Sequence, residues 1–273
     1  MSEQRHWSFN DASMLRNKIF PEGFAAPEST LPSGPFHPLA DWENRYDLVY
    51  CGSQDFDKNE YTYYGSLHLK ATFAGDSVSF AVKSIRQTGQ DFRQERQHLS
   101  ASFVAGRDAL FSLKPDQEWS LDMARTNRRD TATAPYSRLQ ERGRLKNGFI
   151  EKTDASGRWF RYAEGGSGPV VSNWALLAAV QSLPRNGGGT AFGCLQDLER
   201  FYPAHRIRFY KTIEAQFGQN KRTLHGYVQV GSGIIPQFYW IDDSGRLLIA
   251  RLALGMLVYN AAPRLDQIAK EDV

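Results

Sequence analysis

The chain has six histidines, His6, His37, His68, His98, His205 and His225, the side chains whose ordinary titration lies near neutrality. No two lie within four residues of each other, so a metal centre would have to be assembled from separate strands. His68 sits in an alternating segment and shares a face with Tyr64 and Lys70. His225 shares a face with Tyr227 and Gln229. If these faces line a hollow, His68, His225 and Tyr64 are candidate general acids and bases. A solvated face of a half-buried sheet accounts for the same pattern.

The second chemical feature is the ring content. Seventeen Phe, twelve Tyr and six Trp make up 13% of the chain. Trp119, Tyr227, Tyr239 and Trp240 fall on strand-like segments. Phenol and indole rings combine apolar area with a polar tip, which suits a pocket for a sugar ring or an aromatic molecule. The same rings also fill β cores. Arg86 and Arg96 are candidates for holding an anionic group of such a ligand.

Other chemistry finds no support. The chain has no GxxxxGK[ST] loop, no GxGxxG after a strand, no HExxH and no GxSxG elbow. Asn186–Gly189 follows a helical segment and reads as a helix stop. Asp242 and Asp243 precede Ser244-Gly245 and read as turn residues. No metal and no organic cofactor are expected.

These residues need a scaffold. Pro21, Pro27, Pro32, Pro35 and Pro38 exclude helix from the first forty residues. Phe20, Phe24, Leu31 and Phe36 suggest that residues 1–40 form an arm packed on a single domain, 41–273. From there the hydrophobic period is two. Strands are expected over Arg45–Cys51, Glu60–Phe73, Val78–Val82, Gln97–Phe103, Ala109–Leu113, Glu118–Met123, Leu145–Lys152 and Arg158–Tyr162. Ser172–Leu183 reads as a helix capped by Ser172 and ended by Pro184. Cys194–Phe201 reads as a second short helix. Strands resume at Arg206–Glu214, Thr223–Val230, Gln237–Ile241, Arg246–Ala253 and Met256–Asn260. The expected fold is mainly β: an antiparallel β-barrel or strongly curved sheet of about eleven strands, with one or two short helices across an open end or side. A sandwich is the alternative.

Composition narrows the partners. A net charge of +3 is weak for a nucleic-acid binder. The densest basic stretch, Arg125–Arg144, is interrupted by Asp130, Pro135 and Glu141 and reads as a solvated loop. Cys51 and Cys194 make no disulfide framework. The first fifteen residues resemble no secretory signal, and no apolar run approaches the ~20 residues of a membrane span. The expected protein is cytoplasmic, with no nucleic-acid or membrane partner. Its oligomeric state is left open.

The helix Ser172–Leu183, followed by Arg206–Tyr210, Thr223–Val230 and the hairpin Tyr239–Leu248, resembles lipocalin-type barrels and, remotely, uncharacterised bacterial antiparallel β-barrel families. A lipocalin Gly-x-Trp near the first strand is absent, so the resemblance carries over no catalytic residue. It implies small-molecule binding. The expected function is binding of a small, partly apolar, aromatic or sugar-like molecule in a ring-lined cavity. Two alternatives stand beside it. One is a cofactor-independent lyase, isomerase or hydrolase using the same cavity, and the other is a protein-interaction module.

Overall fold

A computed structural model describes residues 34–50, 62–88, 95–127, 135, 137–166, 168–186, 188–217, 220–252 and 255–260. Most of the arm, residues 1–33, therefore lies outside the described residues. The first half of the chain is a meander: β1 (Trp42–Tyr50), β2 (Thr62–Ala74), β3 (Ser77–Thr88), β4 (Glu95–Gly106), β5 (Glu118–Asn127), β6 (Ser137–Lys146), β7 (Phe149–Thr153) and β8 (Trp159–Glu164). After β9 (Val170–Ser172) and helix α1 (Asn173–Ala179), a second meander follows. It comprises β10 (Thr190–Gln196), β11 (Arg200–Phe217), β12 (Asn220–Gly231), β13 (Gln237–Ile241), β14 (Leu247–Arg251) and β15 (Gly255–Tyr259).

All fifteen strands belong to one sheet, with β1 through β8 running outward on one side and β15 back to β9 on the other. The two meanders join where β1 pairs with β15, Tyr46 opposite Tyr259. The two edge strands, β8 and β9, are consecutive in the chain. Residues 165–169 connect them, a reach of at most roughly 20 Å. The sheet must therefore curl until its edges approach. Cross-contacts hold it there: Leu113 N donates to Val170 O at 2.7 Å, and Lys152 Nζ to Glu199 O at 2.6 Å. The result is a mainly β, strongly curved, open sheet with one helix among the described residues.

The helix occupies the interior. Trp174, Ala175, Leu176, Leu177, Ala178, Ala179 and Val180 are all buried. A helix apolar on every side has no face to give to water, so it must be surrounded. The expectation of a helix across an end or side is corrected accordingly. Its start follows the sequence: Ser172 accepts a hydrogen bond from Trp174 N. It ends earlier than Leu183, because the chain turns tightly through Ser182. Polar groups seat that turn. Gln181 Oε1 accepts from Asn44 Nδ2 on β1 and from Leu247 N on β14, and Tyr227 Oη donates to Leu183 O at 2.6 Å. The β9–α1–β10 segment also makes the one parallel pair among the described strands. Residues 173–189 supply the crossover that such a pair needs.

Other expectations are corrected. Cys194–Phe201 is not helical. Asp197 and Leu198 both have positive φ (51° and 56°), and Glu199 N donates to Gln196 O. That is the geometry of a two-residue hairpin turn between β10 and β11. Ala109–Leu113 is a turn in which Leu113 alone bridges to Ala105. The Leu145–Lys152 segment is divided by the Asn147-Gly148 turn, where both residues have positive φ. Of the basic stretch, residues 128–134 and 136 lie outside the described residues, while Arg138, Arg142 and Arg144 belong to β6 and not to a loop, Arg138 pairing with Asp122 and Arg142 with Glu118.

Burial of α1 predicts its own cost of perturbation. Leu176 is fully buried and lines no described cavity. Leu176→Ala should lower unfolding stability by about 2–5 kcal/mol, measured by urea denaturation with an unchanged m-value.

Candidate functional site

Between α1 and the curled sheet lies a cavity of about 320 Å³. One wall is Leu48, Tyr64, Leu67 and Leu257, from β1, β2 and β15. The helix contributes Asn173, Trp174 and Leu177. The opposite wall is Cys194 and Gln196 from β10, Gln229 from β12, and Gln237 and Tyr239 from β13, with Ile234 and Leu252 at its margin. Arg86 enters from β3. The hollow thus combines leucines and rings with four amides, two phenols, the Asp197 carboxylate and one guanidinium, a mix of apolar surface and convergent polar groups that suits a small-molecule site.

The local sequence explains how these groups arrive. Leu48 lies opposite Gly65 and Val49 opposite Tyr63, so Tyr64 is an extra residue on β2. A β-bulge of this kind re-aims a side chain, and it brings Tyr64 to the cavity although its parity matches His68. Gly255 on β15 makes room for it: a Cβ there would sit 2.8 Å from Tyr64 Oη. The base of the helix is tied to the β10–β11 turn. Asn173 Nδ2 donates to Asp197 Oδ1 at 3.0 Å, and Asp197 N donates to Asn173 Oδ1 at 2.8 Å.

Arg86 is the electrostatic oddity. Its Nε is buried without a hydrogen-bond partner, and among the described residues it makes no ion pair. Asp197 lines the same cavity but makes no ion pair with Arg86, and a partly desolvated cation without a counter-ion is costly until an anion meets it.

The far wall is a chain of polar groups. His205 Nε2 lies 3.2 Å from Ser232 O, and Gln229 Nε2 lies 2.8 Å from His205 Nδ1. Tyr239 Oη is 2.6 Å from Gln229 Oε1 and 3.0 Å from Gln237 Oε1. Burial holds His205 below the usual histidine range and lifts the Tyr239 phenol above the usual tyrosine range. Burial also pushes the Cys194 thiol up to about 12.

Three of the nine sequence-predicted site residues, Tyr64, Arg86 and Tyr239, meet in this cavity. The other six do not line it. His68 Nε2 lies 2.8 Å from Glu43 Oε1 beside Arg45. His225 lies between Thr212 Oγ1 (3.0 Å) and Asp243 Oδ1 (2.8 Å), further along β12 than Tyr227. Tyr227 packs on Phe209 and holds the end of the helix turn. Trp119 lies against Gly143, where a Cβ would come within 2.2 Å of its ring. Trp240 covers Gly226 and stands edge-on to Tyr210. Arg96 lies near His98, whose pKa is lowered by burial and by that guanidinium.

Gln229, Gln237 and His205 escaped the sequence analysis as site residues. Gln229 was placed on the His225 face, the one signal that pointed toward it. A second hollow of about 380 Å³, on β3–β5, is lined by Lys83, His98, Asp122 and Arg138 but by no aromatic ring. No group of three or more metal-ligating side chains occurs among the described residues, and no described helix is long and apolar enough to cross a membrane.

No family model matches the chain, and no curated protein matches it. Among solved structures it is similar to a β-barrel-like protein of a domain of unknown function, DUF1849, from Brucella abortus. The TM-score is 0.52 at 8% identity, over 81% of this chain and 95% of that one. The likeness shows the fold, a barrel-like curved sheet, and agrees with the remote resemblance to uncharacterised bacterial β-barrel proteins.

The raised thiol has a direct readout. In a Cys51→Ser background, Cys194 should react only slowly with a thiol-specific disulfide reagent at about pH 8. It should react rapidly once the protein is unfolded in guanidinium.

Proposed function

We propose that the chain binds a small, partly apolar molecule, aromatic or sugar-like, that carries an anionic group. The observation that carries this reading is Arg86: a cation with a buried, unpartnered Nε, placed in a 320 Å³ hollow beside Tyr64, Trp174 and Tyr239. Rings and leucines supply the apolar contact, and the guanidinium supplies the recognition of charge. The lipocalin-like element of the sequence pattern belongs to the same idea, a sheet wrapped around a ligand. A cytoplasmic location also remains part of this proposal. The enzymatic alternative asks His68, His225 and Tyr64 to act together, and of the three only Tyr64 lines the cavity.

The test is a panel of hydroxybenzoates, hydroxynaphthoates and hexuronates titrated against the intrinsic tryptophan fluorescence, to which the cavity residue Trp174 contributes. At least one should bind saturably, and its neutral alcohol analogue should bind more weakly. Arg86→Gln should weaken the carboxylate by about 10- to 100-fold, the equivalent of one charge-assisted hydrogen bond of about 1.5–3 kcal/mol. Gly255→Val, which drives a side chain into Tyr64, should abolish binding in a folded protein. Equal binding by wild type and Arg86→Gln would sink the proposal.

A further inference from the structure

The polar wall of the cavity is wired in one direction. The Ser232 carbonyl only accepts hydrogen bonds, so the ring nitrogen facing it, His205 Nε2, carries the proton. His205 Nδ1 is then the bare nitrogen and accepts from Gln229 Nε2. That fixes the amide, turning Gln229 Oε1 toward Tyr239, whose single phenolic proton it takes at 2.6 Å. Gln237 Oε1, 3.0 Å from the same phenol oxygen, is left without that proton. Three oxygens thus share one hydrogen; of the two beyond Gln229, the phenol oxygen keeps a free lone pair, and Gln237 Oε1 offers one beside the donors of its own Nε2.

This inference rests on the cavity reading and deepens it. We propose that His205, acting through Gln229, makes the Tyr239–Gln237 wall a hydrogen-bond acceptor, so that the ligand carries a hydroxyl or N–H donor there in addition to its anion at Arg86. The expected class is a hydroxylated or amino-substituted aromatic or sugar-like carboxylate. His205 is a specificity-determining positioning residue and does not touch the ligand.

The same wiring reverses on protonation. A cationic His205 has hydrogens on both nitrogens, so Gln229 must turn its amide and present Oε1 to Nδ1. Its Nε2 then donates to Tyr239 Oη, and the phenolic proton swings to Gln237 Oε1. The wall satisfies itself, and the ligand's donor loses its acceptor.

The ring is held for this role. Gly231 on β12 lies directly beneath it, where a Cβ would come within 2.3 Å. Phe192 on β10 and Tyr202 on β11 flank it at 5.8 and 6.1 Å between ring centroids. The titratable groups facing it are Tyr202 and, across Gln229, Tyr239 on β13 and Cys194 on β10. None is a carboxylate or an amine. Burial favours the neutral ring, so reversal occurs below the ordinary histidine range. A benzoate is still ionised at about pH 5.

The experiment compares 4-hydroxybenzoate with 4-methylbenzoate, which matches it in size and cannot donate. Binding is followed by tryptophan fluorescence at about pH 7.5 and about pH 5. The hydroxyl compound should bind about tenfold more tightly at the higher pH and lose that advantage at the lower one. Tyr239→Phe should remove the advantage at both pH values, and His205→Phe should remove its pH dependence. Independently of any ligand, long-range nitrogen–proton NMR should find His205 as the Nε2–H tautomer at neutral pH. An Nδ1–H tautomer overturns the relay. Arg86-dependent binding of both benzoates with a ratio indifferent to pH overturns the relay and leaves the cavity reading standing. Failure of every carboxylate in both panels overturns the cavity reading and the ligand class with it.

Discussion

The structure depends on the burial of a short helix that has no polar side. Trp174 through Val180 present apolar groups in every direction, and only a wall on all sides removes them from water. A flat sheet covers one face of a helix. A sheet curled until its edges meet covers all of them. The short 165–169 connection and the cross-contacts at Leu113 and Lys152 are the means of curling. The helix fills only part of the enclosed space, and what is left over is the cavity.

The polar groups inside follow from that enclosure. Asn44, Gln181, Gln229, Tyr239 and His205 are buried, and each hydrogen-bonds another member of the set or backbone, although Gln181 Nε2 is left without a partner. Networks of this kind impose a single arrangement on their members. Arg86 departs from the pattern: its Nε has no such partner. The contrast between a wired wall and an unpaired cation is what the binding proposal rests on.

Much of the architecture was legible because it is local. Period-two alternation and Gly/Asp turns located most of β1–β5 and β11–β15, and Ser172 marked the start of the helix. The misreadings were of another kind. Cys194–Phe201 has a helix-like distribution of apolar residues, but the partners of β10 lie on β9 and β11, and the turn at Asp197-Leu198 depends on left-handed backbone that residue type does not announce. The side to which Tyr64 points depends on a bulge created by pairing with β1. Gln229 and Gln237 look like ordinary polar strand residues until β12 and β13 are paired and both reach Tyr239. Of the aromatic candidates, Trp119, Tyr227 and Trp240 went to packing, each against a glycine, another ring or the helix turn.

The join between β1 and β15 has a kinetic meaning. Every other antiparallel pair unites strands that are neighbours in the chain, whereas Tyr46 and Tyr259 come from its two extremes. Each meander has the means to form by short-range steps, but zipping the two together demands closure of a loop spanning nearly the whole domain, and low-separation contacts form ahead of such closures. Leu48 and Leu257 face each other across that seam and line the cavity. The cavity is therefore completed only when the last stitch of the fold is made.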